Sequence, residues 1–333
     1  MGPAYGRRRP SHKDRGAPHR KGTTVSDNSP LIEAPKRRGP AIALAVVVIA
    51  VVAALIAFAL TRGGDSAGGD LTKVKLGTVG ASDPYWKTLQ DEAEKEGIDL
   101  EVVDFADYAQ PNPALTEGEI DINQFQHIVY LADYNVSNKQ DLVPVGATAI
   151  YPLGLYSQKV DSVEELKQGD TVVVPDDDSN QARGLLILQS AGLIKLKDGG
   201  SIFSTLADVD KAASKVKVKA IKADLTPTSL PDVDAAIVNN DFVEKAGLKF
   251  SDAIAQDDPS DPNALPYVNI FAVRAEDKDN KTYQKLIEIY QNSKPVLDGV
   301  QEVSGNTAQL LKTPAADLQA SLADVEADTA AQG

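Results

Sequence analysis

The 333-residue chain contains no cysteine, and its single methionine is residue 1. That excludes disulfides, thiolate metal sites and a cysteine nucleophile. Histidine is also scarce: two of the three lie within the first 20 residues, and only His127 follows them. Beyond the N-terminus a multi-histidine zinc site is therefore excluded. From Lys73 onward the chain also lacks a Gly-x-Ser-x-Gly elbow and a glycine-rich phosphate loop. The run Asp176-Asp177-Asp178 lacks the spacing of a calcium loop and reads as a solvated acidic turn. No catalytic apparatus, metal or cofactor is expected, and no internal repeat is visible.

Charge is distributed unevenly. Residues 1–40 carry ten Lys/Arg against three Asp/Glu, residues 41–61 carry none, and residues 62–333 carry 24 against 45. The main body, at net −21, lacks the basic surface that nucleic-acid binding requires and is expected to be soluble and monomeric. Residues 1–40, rich in Arg, Lys, Pro and Gly, are expected to form a disordered cytoplasmic tail, with Arg7-Arg8-Arg9 contributing an orientation signal. Ala41–Leu60 is apolar throughout and, as a helix, spans roughly 30 Å, the thickness of a bilayer core. A cleaved signal peptide is the alternative, but 20 apolar residues behind a 40-residue tail favour an uncleaved single-pass anchor over 41–61. Residues 62–72 then form a flexible tether, with the rest of the chain on the outer side of the cell membrane.

From Lys73 onward the pattern is α/β. Val74–Val79 and Asp99–Phe105 read as strands, with a helix between them opened by Asp83-Pro84 and stopped by Gly97. Extended runs follow at Leu142–Ala147 and Ile150–Gln158. Ser162 and Glu165 suggest a capping box, and Thr171–Val174 reads as a buried strand. Ser179 or Asn180 is expected to cap the helix Gln181–Ser190. Further strands are expected at Lys215–Ile221, Ala235–Val238 and Tyr267–Arg274, with helix over 280–303 and either helix or loose tail over 315–333.

One stretch, Asp107–Tyr130, concentrates aromatic and amide side chains. Pro111 and Pro113 predict an extended connection over Asp107–Pro113. Glu117-Gly118 reads as a turn, Ile120–Asn123 as a short strand and Phe125–Asn135 as a helix. Phe125, His127 and Tyr130 would lie near that helix start, where they fit a ligand site or an ordinary core. Arg183 falls in the first turn of a helix that follows a strand, a suitable place to hold a carboxylate. A solvated helix residue fits the same spacing. Asn239 lies just past a buried strand, as a ligand contact or a plain helix cap. Asn269 sits inside an apolar strand, where its amide needs either a ligand or a backbone partner.

The residues Asp107-Tyr108, Pro111-Asn112, Ala114-Leu115, Gly118, Asp121, Asn123, Phe125-Gln126-His127 and Tyr130-Leu131 resemble the signature of the NlpA/MetQ family. That family comprises the substrate-binding proteins of methionine ABC importers. The similarity continues through Asn180…Arg183, Ala236-Ile237-Val238-Asn239 and Tyr267-Val268-Asn269, so that it spans roughly residues 73–310. It implies a two-lobe, periplasmic-binding-protein-like (type II) fold with a ligand cleft, here preceded by one transmembrane helix. Lobe 1 would comprise 73–150 plus 268–333 and lobe 2 151–267, with crossings near 148–156 and 264–270. It further implies that Arg183, Asn239 and Asn269 hold the carboxylate and ammonium of an amino acid, with Tyr108, Asn123, Phe125, His127 and Tyr130 completing the site. The implied ligand is methionine or a related small amino acid, and the implied partners are an ABC permease and its ATPase. Most of the family is anchored through a lipid-modified cysteine, which this sequence does not contain.

Overall fold

The computed structural model describes residues 71–332. The expected tail (1–40), the anchor (41–61) and all but the last two residues of the tether (62–72) lie outside these. Among the described residues no helix is long and apolar enough to cross a membrane.

The chain opens with β1 (Thr72–Thr78), α1 (Pro84–Lys95) and β2 (Ile98–Asp104). Proline at the first helical position of α1 sets the backbone and removes an N–H that would have no intrahelical partner. Next come α2 (Pro111–Thr116), β3 (Ile122–His127), α3 (Ile128–Asn138), β4 (Val143–Ala147) and β5 (Ala149–Ile150). A second α/β segment holds β6 (Gly154–Tyr156), β7 (Thr171–Pro175), α4 (Asp178–Ser190), β8 (Lys217–Ile221), β9 (Ala235–Val238), α5 (Asn240–Val243) and β10 (Ala255–Gln256). The chain then returns through β11 (Asn269–Val273), α6 (Lys281–Asn292), α7 (Lys294–Val303), β12 (Gln309–Leu310) and α8 (Ala315–Ala330).

Two five-stranded sheets result. The first has the order β2-β1-β3-β11-β4, with β11 antiparallel to both of its neighbours, and the second has the order β10-β6-β9-β7-β8. The chain passes from the first sheet to the second between β5 and β6, and back between β10 and β11. The first sheet is covered by two apolar clusters, one built around Trp86, Phe271 and Tyr290, the other around Leu115, Leu131 and Leu318. The second sheet packs Val172, Val174 and Ile237 against Leu185 and Leu188 of α4. A fourth cluster joins Phe125 of the first sheet and the adjacent Tyr108 to Val238 of the second sheet and Phe242 of α5.

Several expected elements differ from the folded chain. The helix expected at Phe125 begins only at Ile128, because β3 pairs with β1 on one side and β11 on the other and holds the chain extended through His127. Every residue of β3 is buried, although four of the six are polar. The extended connection expected over Asp107–Pro113 ends instead in α2, with Gln110 itself in the helical region. Both prolines fall in the first turn, where no N–H is required, and Asn112 is held by a buried amide network that offsets the steric bias before proline. Asp177, not Ser179 or Asn180, caps α4, one turn earlier than expected. Ser162 makes no side-chain cap, and Val163–Glu165 is a single 3-10 turn. The expected 280–303 helix is two helices divided at Ser293, which caps the second through the Val296 N–H.

The end of the chain is a packed helix and not a loose tail. Leu318, Leu322 and Val325 of α8 are buried against the cluster that also holds Leu131. Leu318→Ala is expected to lower unfolding free energy by about 2–5 kcal/mol in urea titrations. An unchanged midpoint would mean that the helix detaches readily from the sheet.

Candidate functional site

A narrow cavity of about 20 Å³ lies between the two sheets, lined by Tyr108, Phe125, Gln126, His127, Tyr130, Tyr151, Asn180, Arg183, Asn239, Asn240 and Asn269. Seven of the eight residues singled out from sequence therefore meet in one place. Asn123 is the exception. Its side chain is fully buried behind the wall, donating to Asn112 Oδ1 (2.9 Å) and accepting from Gln126 Nε2 (3.0 Å). Its place is to brace Gln126, which does line the cavity.

The two sheets contribute differently. From the first come the rings, together with the amides of Gln126 and Asn269. Tyr108, Phe125 and Tyr130 form a mutually packed trio, with centroids 5.9 Å apart for Tyr108–Phe125 and 5.7 Å for Phe125–Tyr130. The Tyr130 hydroxyl donates to the Tyr108 carbonyl at 2.9 Å, which fixes the loop carrying Tyr108 to the first turn of α3. From the second sheet come charge and amides. α4 starts at the C-terminal end of β7, so Arg183 sits in its early turns beside the carboxyl ends of the strands, a position from which many α/β proteins contact ligands. Asn239 immediately follows β9 at the same edge.

Arg183 is 6% exposed and is the one charged side chain lining the cavity. Its Nε–H donates to Asp257 Oδ2 (2.6 Å) and Nη2 donates to the Tyr151 carbonyl (2.8 Å). Its guanidinium carbon lies 4.5 Å from the centre of the Tyr267 ring. Those two bonds use two of the five N–H hydrogens that a guanidinium carries, which leaves three.

His127 ends β3 and caps α3. Its Nδ1 accepts from the Tyr130 N–H (3.2 Å), so the proton of the neutral ring sits on Nε2, 3.3 Å from Asn180 Oδ1. Burial, and then the nearby Arg183 charge, push its pKa down to about 3. Asn180 Oδ1 accepts from Asn239 Nδ2 as well (3.0 Å), while Asn180 Nδ2 donates to the capping Asp177 (2.9 Å). The chain of amides ends at Asn239 Oδ1, a buried acceptor with no protein partner. An unsatisfied buried acceptor is costly unless something donates to it. Asn269 lines the cavity at the start of β11, its carbonyl taken by the Thr148 N–H at 2.8 Å.

Further contacts tie the two halves together around the cavity. The Tyr108 hydroxyl donates to Asp241 (2.7 Å), and Lys222 pairs with Asp107 (3.3 Å). Burial raises the Asp241 carboxyl to about 6, with the Tyr108 bond pulling the other way. Asp133 of α3 is raised to about 7, first by burial and then by Asp178 and Asp177 at the start of α4. The acidic turn at 176–178 is accordingly only partly solvated: Asp176 and Asp178 are exposed, and Asp177 is tied up as the cap. Among the described residues no cluster could hold a metal ion.

Sequence reasoning overlooked Gln126, Tyr151, Asn180 and Asn240. Asn180 was legible as a helix cap and as part of the resembling segment Asn180…Arg183, but its bonds to His127 and Asn239 follow from the register of two distant strands.

The model of the NlpA lipoprotein family matches residues 74–310. The D-methionine-binding lipoprotein MetQ of Escherichia coli K12 is 38% identical over 228 residues, covering 67% of this chain and 83% of that protein. Two solved structures superpose on most of the chain. The substrate-binding protein of a methionine transporter from Streptococcus pneumoniae has a TM-score of 0.67 at 34% identity, covering 72% of this chain and 95% of the other. A nutrient-binding protein from Burkholderia cenocepacia, solved bound to methionine, has a TM-score of 0.66 at 38% identity, covering 71% and 99%. The fold they share with this chain is the α/β periplasmic-binding-protein-like fold.

An NMR pH titration tests the neutral histidine. With a folded pKa near 3 against about 6.5 unfolded, the His127 ring is expected to stay unprotonated between pH 8 and 5. The unfolded chain takes up that proton first, so this residue makes stability fall as pH drops from about 6.5 towards 3. A ring midpoint near 6.5 would show that water reaches it.

Proposed function

The chain belongs to the NlpA lipoprotein family, and from that premise we propose that it captures methionine, or a close analogue, between two lobes and delivers it to an ABC permease with its ATPase. The observation that carries this reading is the pairing within one cavity of a buried guanidinium with N–H groups to spare and a buried amide oxygen with no donor. A zwitterion supplies both missing partners, its carboxylate to Arg183 and its ammonium to Asn239 Oδ1. The rings of Tyr108, Phe125 and Tyr130 are then left to surround an apolar side chain, with a thioether adding sulfur–aromatic contacts of roughly 0.3–1.5 kcal/mol.

On this reading the lobes are 73–150 plus 268–333 and 151–267, and the protein works as a monomer. Methionine in the cleft would complete the bridge between them that Tyr108–Asp241 and His127–Asn180 begin. Closure excludes water and strengthens the polar contacts, and it presents the permease with a recognisable shape. The Escherichia coli relative is by name a lipoprotein. With no cysteine to carry a lipid, we assign anchorage to the apolar run 41–61, which places the binding lobes on the outer side of the membrane. The reading is of a carrier and not of an enzyme.

Isothermal titration calorimetry with L- and D-methionine tests it. Saturable binding of one or both is expected, and Arg183→Ala should cost about 2–5 kcal/mol of that affinity, the usual consequence of leaving a buried charge partner unmatched. No heat from either isomer would sink the assignment. A variant that binds as tightly as the wild type would remove Arg183 from the site.

A further inference from the structure

Arg183 borders two spaces. On its other side lies a recess of about 490 Å³, lined by Arg183 itself, Tyr267 and the carboxylates Asp257, Asp258 and Asp261, among others. Arg183 is the one residue common to the linings of the two. A long arginine stem has many rotamers, and on the recess side it faces three carboxylates. What keeps the fork turned towards the cavity therefore requires explanation.

We propose that Asp257, which does not line the cavity, is a positioning residue that holds the Arg183 guanidinium in its ligand-facing orientation. The inference rests on the reading that Arg183 grips a carboxylate. Asp257 is suited to the task because it is itself fixed. It directly follows β10, which pairs with β6 through Ala255–Leu155 and Gln256–Gly154. Its Oδ1 accepts from the Leu153 N–H at 2.8 Å, and its own N–H donates to the Leu153 carbonyl at 3.3 Å. Oδ2 is thereby aimed at Arg183 Nε, 2.6 Å away. With Nε held, the plane of the fork is set by the second bond to the Tyr151 carbonyl and by the Tyr267 ring beneath it. Tyr151 and Leu153 both lie on the chain passing from the first sheet to the second, so the fork is referenced to the segment between the lobes and not to α4 alone.

Electrostatics alone gives the opposite expectation, which makes the idea decidable. A negative charge behind the guanidinium repels an incoming carboxylate, so deleting it should tighten binding if charge were all that mattered. If Asp257 positions the fork, deleting it should weaken binding, and only for ligands that have a carboxylate.

The test is calorimetry on the full chain with L-methionine and with L-methioninol, which keeps the ammonium and thioether but lacks the carboxylate. Asp257→Asn retains an oxygen for the Leu153 N–H while removing the charged partner of Arg183. It is expected to weaken methionine binding by at least about tenfold, to leave methioninol binding unchanged, and to have no further effect in an Arg183→Ala background. Unchanged or tighter methionine binding, an equal loss for both ligands, or an additive loss in the double variant would each overturn the proposal. If the Asn variant melts below the assay temperature, Asp257→Ala is read by the same criteria. A wild-type protein that does not prefer methionine to methioninol would instead overturn the carboxylate reading of Arg183, and this inference with it. That outcome is separate from a wild type that discriminates and an Asn variant that still does.

Discussion

The architecture depends on keeping one guanidinium charged and nearly dry. Withdrawing a cation from water is expensive unless partners replace the lost hydration. Arg183 is given a carboxylate, a backbone carbonyl and an aromatic face by Asp257, Tyr151 and Tyr267. Tyr151 and Tyr267 stand at the two ends of the 151–267 segment and Asp257 just after β10, so the charge is satisfied where that segment joins the rest of the fold. The early turns of α4, the crossing after β5 and the return before β11 have to meet for the cation to be tolerated. The same meeting creates the cavity.

A second constraint is polar burial on the aromatic side. β3 lies inside its sheet with both faces covered, yet it carries Asn123, Gln124, Gln126 and His127. Its amides are satisfied within a compact network: Asn112, Asn123 and Gln126 bond one another, and Gln124 donates to the Thr148 hydroxyl. Such a network is costly when half made and rigid when complete, and it fixes the edge from which Phe125 and His127 face the cavity. The rings are thus held by buried amides and the charge by an ion pair whose carboxylate is half-buried.

How much of this could be read from the residues alone depended on the range of the interactions. Local signals were sound for α1, where Pro84 and Gly97 mark the ends, and for β9, whose four apolar residues are followed by an asparagine. They failed around β3, because the apolar spacing of Ile128, Leu131 and Ala132 runs on from Phe125 and nothing local marks His127 as the last extended residue. Only pairing with β11, which lies 142 positions later at Asn269↔His127, decides it. Arg183, Asn239 and Asn269 were identified through family resemblance, since spacing fitted plain surface or capping roles equally well. Asn180 and Asp257 were not picked out: the first resembles an ordinary cap, and the second lies in an acidic loop with no pattern of its own. Their places become evident only when strands from opposite ends of the sequence are laid side by side.

The ring-lined bay has one more consequence. From residue 71 to 332 the polymer holds neither cysteine nor methionine, so Tyr108, Phe125, His127 and Tyr130 surround a space to which the protein contributes no sulfur. A thioether carried there would be the lone atom of its kind, and the redox chemistry of the occupied cleft would be that of the cargo. Oxidants that convert thioethers to chiral, polar sulfoxides would spare the receptor and alter only what it can hold, since a sulfoxide loses the greasy fit to the rings. A carrier exposed to the outside medium would thus keep its own shape under oxidative stress and turn away damaged ligand at the point of entry.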